Sequence, residues 1–178
     1  GAQNAAFGSF ALKNNTTGNF NTATGALALA NNSTGSNNTA VGSEALNDNS
    51  TGIGNTAVGA GSLTSNLTGN SNTAVGQGSL GSLNSSSENT AIGYISMYAL
   101  TNGVKNCSLG AGSLSSNQTG SDNVALGYYA LNKNTVGGNT ALGFESLREN
   151  TTGLVNTAAG WSSLASNSTG SYNTALGG

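Results

Sequence analysis

The sequence predicts an all-β chain: a parallel β-solenoid of 17-residue coils filling residues 1–178 as one repetitive domain. Two observations carry the prediction. Asparagine recurs at Asn4, Asn21, Asn38, Asn55, Asn72, Asn89, Asn106, Asn123, Asn139, Asn156 and Asn173, every 17 residues except for a 16-residue step from Asn123 to Asn139. Glycine stands at the fifth position of every unit, from Gly8, Gly25 and Gly42 to Gly177. A period of this length is too short for most helical repeats and suits one solenoid turn.

The unit reads N-T-A-V-G-x-x-A-L-x-x-N-x-T-G-x-x, and its elements follow in order. Position 1 follows a turn and precedes a strand, where identical asparagines stacked along a rod can form a ladder. Positions 3 and 4 pair a small residue with a larger one, as in Ala40-Val41 and Ala91-Ile92, and adjacent strand residues face opposite ways. The glycine at position 5 marks a bend with positive φ or a close approach of backbone. Positions 8 and 9 repeat the small-large pairing, with alanine or serine before leucine, as in Ala45-Leu46, and Met97 as the one exception to leucine. The N-x-T-G corner, for example Asn49, Thr51 and Gly52, carries side chains that tie down turn backbone. Two glycine bends per unit predict a flattened coil with two short β segments. Asn38, Gly42, Leu46, Asn49, Thr51 and Gly52 represent the structural columns. Ser86, Leu83 and Leu100 break the corner consensus in two consecutive units.

Composition excludes other classes. The chain has 28 glycines, no proline, no histidine and only 6% charged residues, which fits neither a charged disordered segment nor collagen. Mediocre helix formers dominate the unit, so helical repeats do not fit. Lys13, Lys105, Lys133 and Arg148 are scattered in a chain of net charge −2, which argues against a nucleic-acid partner. No apolar run approaches the ~18 residues of a membrane span. The chain starts three residues before Asn4 and ends inside a unit at Gly178, so a segment of a longer repetitive protein is expected.

No catalytic, cofactor or metal set is expected. The single cysteine, Cys107, stands where threonine is usual and has no histidine to act as its base. Glu145, Arg148 and Glu149 read as a salt-bridged surface. The variable positions 6 and 7 point outward and carry Tyr94, Tyr128, Tyr129, Phe144 and Trp161, the candidates for contact with a glycan or protein receptor. One coil buries few apolar groups for 17 ordered residues, so several chains packed side by side, as in a trimer, are expected.

The columns resemble the N-T-A-[VIL]-G-x-x-A-L repeats of trimeric autotransporter adhesin heads and of phage tail-fibre shafts. The match rests on Ala40-Val41-Gly42 with Ala45, Ala57-Val58-Gly59 with Ser62, and Ala91-Ile92-Gly93 with Ser96, and it recurs along the whole chain. The family's repeat is shorter; the additional residues here fall around N-x-T-G. The resemblance implies a left-handed β-roll, a homotrimer, and a non-enzymatic segment of a surface adhesin or tail fibre that mediates attachment. It places the protein outside the cell, at the cell surface or on a virion tail. A glycan-binding head module is the alternative. An ice-binding solenoid is a third reading, because Thr22, Thr39, Thr56, Thr73 and Thr90 align at one period, with asparagine or alanine as the companion column.

Overall fold

The computed structural model describes all residues, Gly1–Gly178. Eleven strands form one parallel sheet in sequence order: β1 (Ala5–Phe7), β2 (Thr22–Thr24), β3 (Thr39–Val41), β4 (Thr56–Val58), β5 (Thr73–Val75), β6 (Thr90–Ile92), β7 (Cys107–Leu109), β8 (Val124–Leu126), β9 (Thr140–Leu142), β10 (Thr157–Ala159) and β11 (Thr174–Leu176). Equivalent residues pair across coils, as in Ala40 with Ala57 and Val41 with Val58. The deletion does not disturb this register, because Ala125 still faces Ala141. At ~4.8 Å per strand the ten steps give a rod on the order of 50 Å. The solenoid and its period are therefore as the sequence predicts.

Each coil has one β segment, not the two expected. Positions 6 to 9 form a ribbon in which residues of positive φ alternate with residues of negative φ. Position 7 (Phe10, Leu27, Glu44, Ile95) and position 9 (Leu12, Leu29, Leu46, Leu63) all lie near φ 50–60°. This alternation turns the N–H groups of positions 7 and 9 toward opposite neighbours, while those of positions 8 and 10 bond within the coil, as Ala28 does to Gly25 and Ala30 to Leu27. The Leu27 N–H donates to the Ser9 carbonyl one coil back at 2.9 Å, and the Leu29 N–H donates to the Ala45 carbonyl one coil ahead at 3.0 Å. Only 20 of 114 backbone hydrogen bonds belong to the strands, so the turn segments carry most of the pairing that holds coil to coil. A left-handed leucine costs ~1–2 kcal/mol. Its two companions here are a paired peptide group and a fully buried side chain.

The two glycine columns serve different purposes. Position 5 has strongly positive φ, 135° at Gly42 and Gly93, as expected. Position 15 does not. A Cβ at Gly52 would instead strike the Asn49 Oδ1 and the Gly69 carbonyl, so glycine is kept there for space. In the shortened eighth coil the Val136 carbonyl takes that position, accepting from Asn123 at 2.9 Å and Asn134 at 2.6 Å. Val136, not Gly137, is thus the equivalent of the column, and the deletion lies between Asn134 and Val136.

Inside the coil lie the position 3 alanines, the position 8 alanines and serines, and the position 9 leucines, from Ala23, Ala28 and Leu29 through Leu147 and Ala158. The buried serines Ser62, Ser79, Ser113 and Ser146 at position 8 donate back to the position 5 carbonyl, as Ser62 does to Gly59 at 2.9 Å. Ser108, the one departure from alanine at position 3, joins Ser96 at 2.8 Å and also bonds to Ser113, which makes a buried hydroxyl cluster. The branched residues of position 4 face outward with the threonines of position 2.

Two asparagine ladders close the coils. At position 1 the ladder runs unbroken from Asn4 to Asn173, each side-chain oxygen accepting the next coil's asparagine N–H, as Asn38 Oδ1 does from Asn55 at 2.9 Å. The asparagines of the first and twelfth positions converge on one carbonyl: Asn38 and Asn49 both donate to Gly52 O, at 2.8 and 3.1 Å. The position 12 ladder runs Asn15, Asn32, Asn49, Asn66, is interrupted where Leu83 and Leu100 fill the interior of the next two coils, and resumes through Asn134, Asn150 and Asn167. Asn66 Oδ1 is consequently buried without a donor. Thr51 at position 14 is exposed and makes no side-chain bond, against expectation. The hydroxyls one residue earlier do the tying: Thr16 donates to the Ser33 carbonyl at 2.8 Å and Thr151 to the Ser168 carbonyl at 2.9 Å.

The Leu83–Ser86 pair is a correlated exchange. Where position 12 is asparagine, its Oδ1 shares with the next coil's position 15 carbonyl the space a position 15 Cβ needs; Leu83 removes that oxygen beside Ser86, whereas one coil on Leu100 itself takes the space, its Cδ1 2.7 Å from where a Cβ on Gly103 would stand. Leu83→Asn alone is expected to destabilise, and adding Ser86→Gly to recover part of the loss. A double-mutant cycle in urea should give a coupling of ~0.5–3 kcal/mol; additivity would mean that the two sites do not share this space.

Candidate functional site

Positions 6 to 11 of coils eight to ten bring a group of aromatic and charged side chains together at the surface of the rod. Tyr128, Phe144 and Trp161 occupy position 6 in three successive coils, and the parallel register stacks them. The Tyr128 and Phe144 centroids are 5.4 Å apart at 13°, and those of Phe144 and Trp161 are 5.9 Å apart at 6°. Phe144 is covered on both ring faces. Trp161 ends the stack and is 67% exposed. Tyr129 leans on Tyr128 with centroids 4.5 Å apart and planes 55° apart. Its ring lies over Gly112 of the preceding coil, where a Cβ would sit 3.1 Å from the ring. Tyr94 is not part of the group: Ala111 holds the equivalent position in the intervening coil and breaks the stack.

Beside the aromatic residues lies a cleft of about 290 Å³ lined by Tyr128, Tyr129, Asn132, Lys133, Glu145, Arg148 and Glu149. Its floor is one ion-pair network. Lys133 Nζ donates to Glu149 Oε2 at 2.6 Å, Arg148 Nε to Glu149 Oε1 at 3.0 Å, and Arg148 Nη1 to Glu145 Oε2 at 2.8 Å. The hydrogen bond from Lys133, with its charge and that of Arg148, holds the Glu149 carboxyl below the ordinary carboxylate range against a smaller opposing effect of desolvation. Asn132 is turned toward the preceding coil, its Nδ2 donating to the Gly112 carbonyl at 2.9 Å and to Ser115 Oγ at 2.7 Å.

The structure therefore unites Tyr128, Tyr129, Phe144 and Trp161, and leaves Tyr94 apart. The Glu145–Arg148–Glu149 surface is salt-bridged as the sequence suggests. Sequence reasoning did not bring Lys133 into it. The signal that could have done so was register: Lys133 and Glu149 are opposite charges in the same column of successive coils, 16 residues apart because of the deletion. No three His, Cys, Asp or Glu side chains converge on a point that could hold a metal. Cys107 is exposed on the outward face of β7. No helix is long and apolar enough to cross a membrane.

Compared with protein-family models, curated proteins and solved structures, the chain matches none.

Proposed function

We propose that the chain is a rigid segment of an attachment fibre, an extracellular rod that works as a homotrimer and presents surface side chains to a glycan or protein receptor. The observation that carries this reading is the outward face of the eleven-stranded sheet. Positions 2 and 4 make two continuous rows there, Thr39, Thr56, Thr73 and Thr90 beside Val41, Val58, Val75 and Ile92, with no charged residue in either row. Ile92 is 38% and Leu109 51% exposed. An uncharged apolar stripe of this length on a rod calls for a partner surface. A second and third copy of the same repeat supply one with matching period, and cyclic symmetry closes the assembly. The resemblance to adhesin-head and tail-fibre repeats points the same way.

Light scattering should give a mass three times the 17.3 kDa of the chain. Val58→Glu with Val75→Glu should return it to a monomer, because two unpaired carboxylates per chain cannot be buried without a large desolvation penalty. A wild-type monomer would overturn the trimer.

The same face also favours a second reading. The outward companion of the threonine row is the branched row at position 4, not the asparagine or alanine column expected, since Ala40 and Asn38 are buried. The threonines at one period on an exposed sheet face are the feature an ice-binding solenoid would use, here with a branched row in place of a second threonine row. A monomer that shows thermal hysteresis would select that reading over the fibre.

A further inference from the structure

We propose that the cleft between coils eight and nine is a binding site for a neutral saccharide, recognising one pyranose ring. The proposal deepens the attachment reading and rests on it for its biological use. Its chemical basis is local.

Size comes first. At about 290 Å³ the cleft stands at the lower edge of the ~300–1,000 Å³ range of small-ligand pockets, room for one ring-sized group rather than a chain. Its walls come next. A pyranose has an apolar face of C–H groups and a rim of hydroxyls, each both donor and acceptor. Tyr128, backed by Phe144, and Tyr129, inclined to it at 55°, both line the cleft and give it an aromatic side against which such a face packs. Tyr129 is held in place by its seat over Gly112, so little ordering remains to be done on binding.

The floor then supplies the polar contacts. Arg148 uses Nε and Nη1 in the ion pairs, which fixes the guanidinium and leaves Nη2 free to donate. Glu145 engages through Oε2 alone, leaving Oε1 free to accept. Asn132 spends both amide hydrogens on Gly112 and Ser115, which leaves Oδ1 as an acceptor. One unspent donor and two unspent acceptors on the lining of one cleft suit hydroxyls, which both donate and accept.

Charge selects among sugars. Two cations, Lys133 and Arg148, face two carboxylates, Glu145 and Glu149, so the cleft is neutral as a whole. A sialylated or sulfated sugar would set its own anion beside both carboxylates and gain no net attraction. Neutral hexoses and N-acetylhexosamines meet no such opposition.

The aromatic stack itself is a weaker candidate than the cleft. Stacked rings cover one another, and Phe144 has no free face. Trp161 has one, but no charged side chain or cleft accompanies it.

The test is an array bearing neutral, sialylated and sulfated oligosaccharides, followed by calorimetric titration of the array's hits on the full chain. Neutral glycans should be retained. Tyr128→Ala and Arg148→Met should each weaken binding by about tenfold or more, the loss of a charge-assisted hydrogen bond or an aromatic wall. Tyr172→Ala should leave it within about twofold, since that exposed ring does not line the cleft. Glu145→Gln, which keeps the shape, serves if Arg148→Met does not fold, and should also weaken binding. An array without hits, hits confined to anionic glycans, or binding that survives Arg148→Met and Glu145→Gln would overturn the site. Failure here is separable from failure of the trimer: a trimer that retains no neutral glycan overturns the cleft alone, and a monomer that retains one overturns the trimer alone.

Discussion

Gly93→Ala is expected to split the rod into two independently melting halves. The Gly93 φ of 135° is a region that only glycine enters freely, and a Cβ there would stand 2.6 Å from both the carbonyl carbon and oxygen of Gly110. The strained backbone costs ~1–3 kcal/mol. The overlap with the next coil costs a further ~1–3 kcal/mol. Neither neighbour can move away, because Gly93 is already bonded to Val75 behind and Gly110 to Ile92 across the same step, at 2.7 and 2.8 Å. A solenoid's stability is a sum over neighbouring coils, so one broken step uncouples what lies on either side. Hydrogen exchange should show protection lost across coils five to seven and kept near Ala40 and Ala141. Limited proteolysis should cut in the same stretch. A single cooperative transition close to that of the wild type would show that the glycine column is not required for coil contact.

Asn55→Ala should destabilise the rod by about 2–5 kcal/mol, the second largest single effect, summed from the bonds it removes. The Asn55 side chain is buried and fully used. Its Nδ2 donates to the Gly69 carbonyl at 2.7 Å and to Asn38 Oδ1 at 3.2 Å, while its Oδ1 accepts the Asn72 N–H at 3.0 Å. Alanine leaves that N–H buried without an acceptor, at ~1–3 kcal/mol, and removes bonds worth ~1 kcal/mol each. The Gly69 carbonyl keeps one donor, Asn66 Nδ2 at 3.0 Å, which limits the loss. Asn55→Asp separates the two halves of the amide. It keeps the acceptor and places a carboxylate oxygen against the Gly69 carbonyl in place of the donor. Burial and that repulsion raise the folded-state pKa of this aspartate above its unfolded value. The variant should therefore be most stable in acid and lose stability as pH rises through the ordinary carboxylate range. Chemical denaturation at several pH values measures both variants. Equal stability of Asn55→Asp at low and neutral pH would mean that the ladder does not use the amide donor.

These two positions show how much of the fold is legible in sequence. Identical asparagines at a fixed period have to stack, and stacked amides bond to one another whatever the rest of the coil does. The glycine column is as direct, since no other residue stands there in eleven successive units. The count of β segments was not legible. Leu46 and Leu63 look like strand residues, and nothing in leucine signals a left-handed backbone; the conformation is chosen because it points peptide groups at both neighbouring coils. The role of Gly52 was misread for a related reason: composition does not distinguish a glycine needed for its φ from one needed for its lack of a side chain.

The candidate site divides in the same way. Tyr128, Phe144 and Trp161 share a column, so their proximity follows from the period alone. Tyr94 shares it too, and its separation also follows from the period, through the small Ala111 between. The cleft follows from neither composition nor motif. It depends on Tyr129 finding space over Gly112, on Asn132 turning to the preceding coil, and on Lys133 reaching Glu149 across one coil step.

By itself the sequence determined the solenoid, its period, its register and which residues form columns, because a repeated unit must place like on like. Only the tertiary structure decided which side of each column faces inward, that one segment of the coil is β and the other an alternating ribbon, and that four charged side chains close on each other beside two tyrosines. Those outcomes are set by hydrogen bonds and contacts between coils, and such contacts exist only once one coil lies on the next.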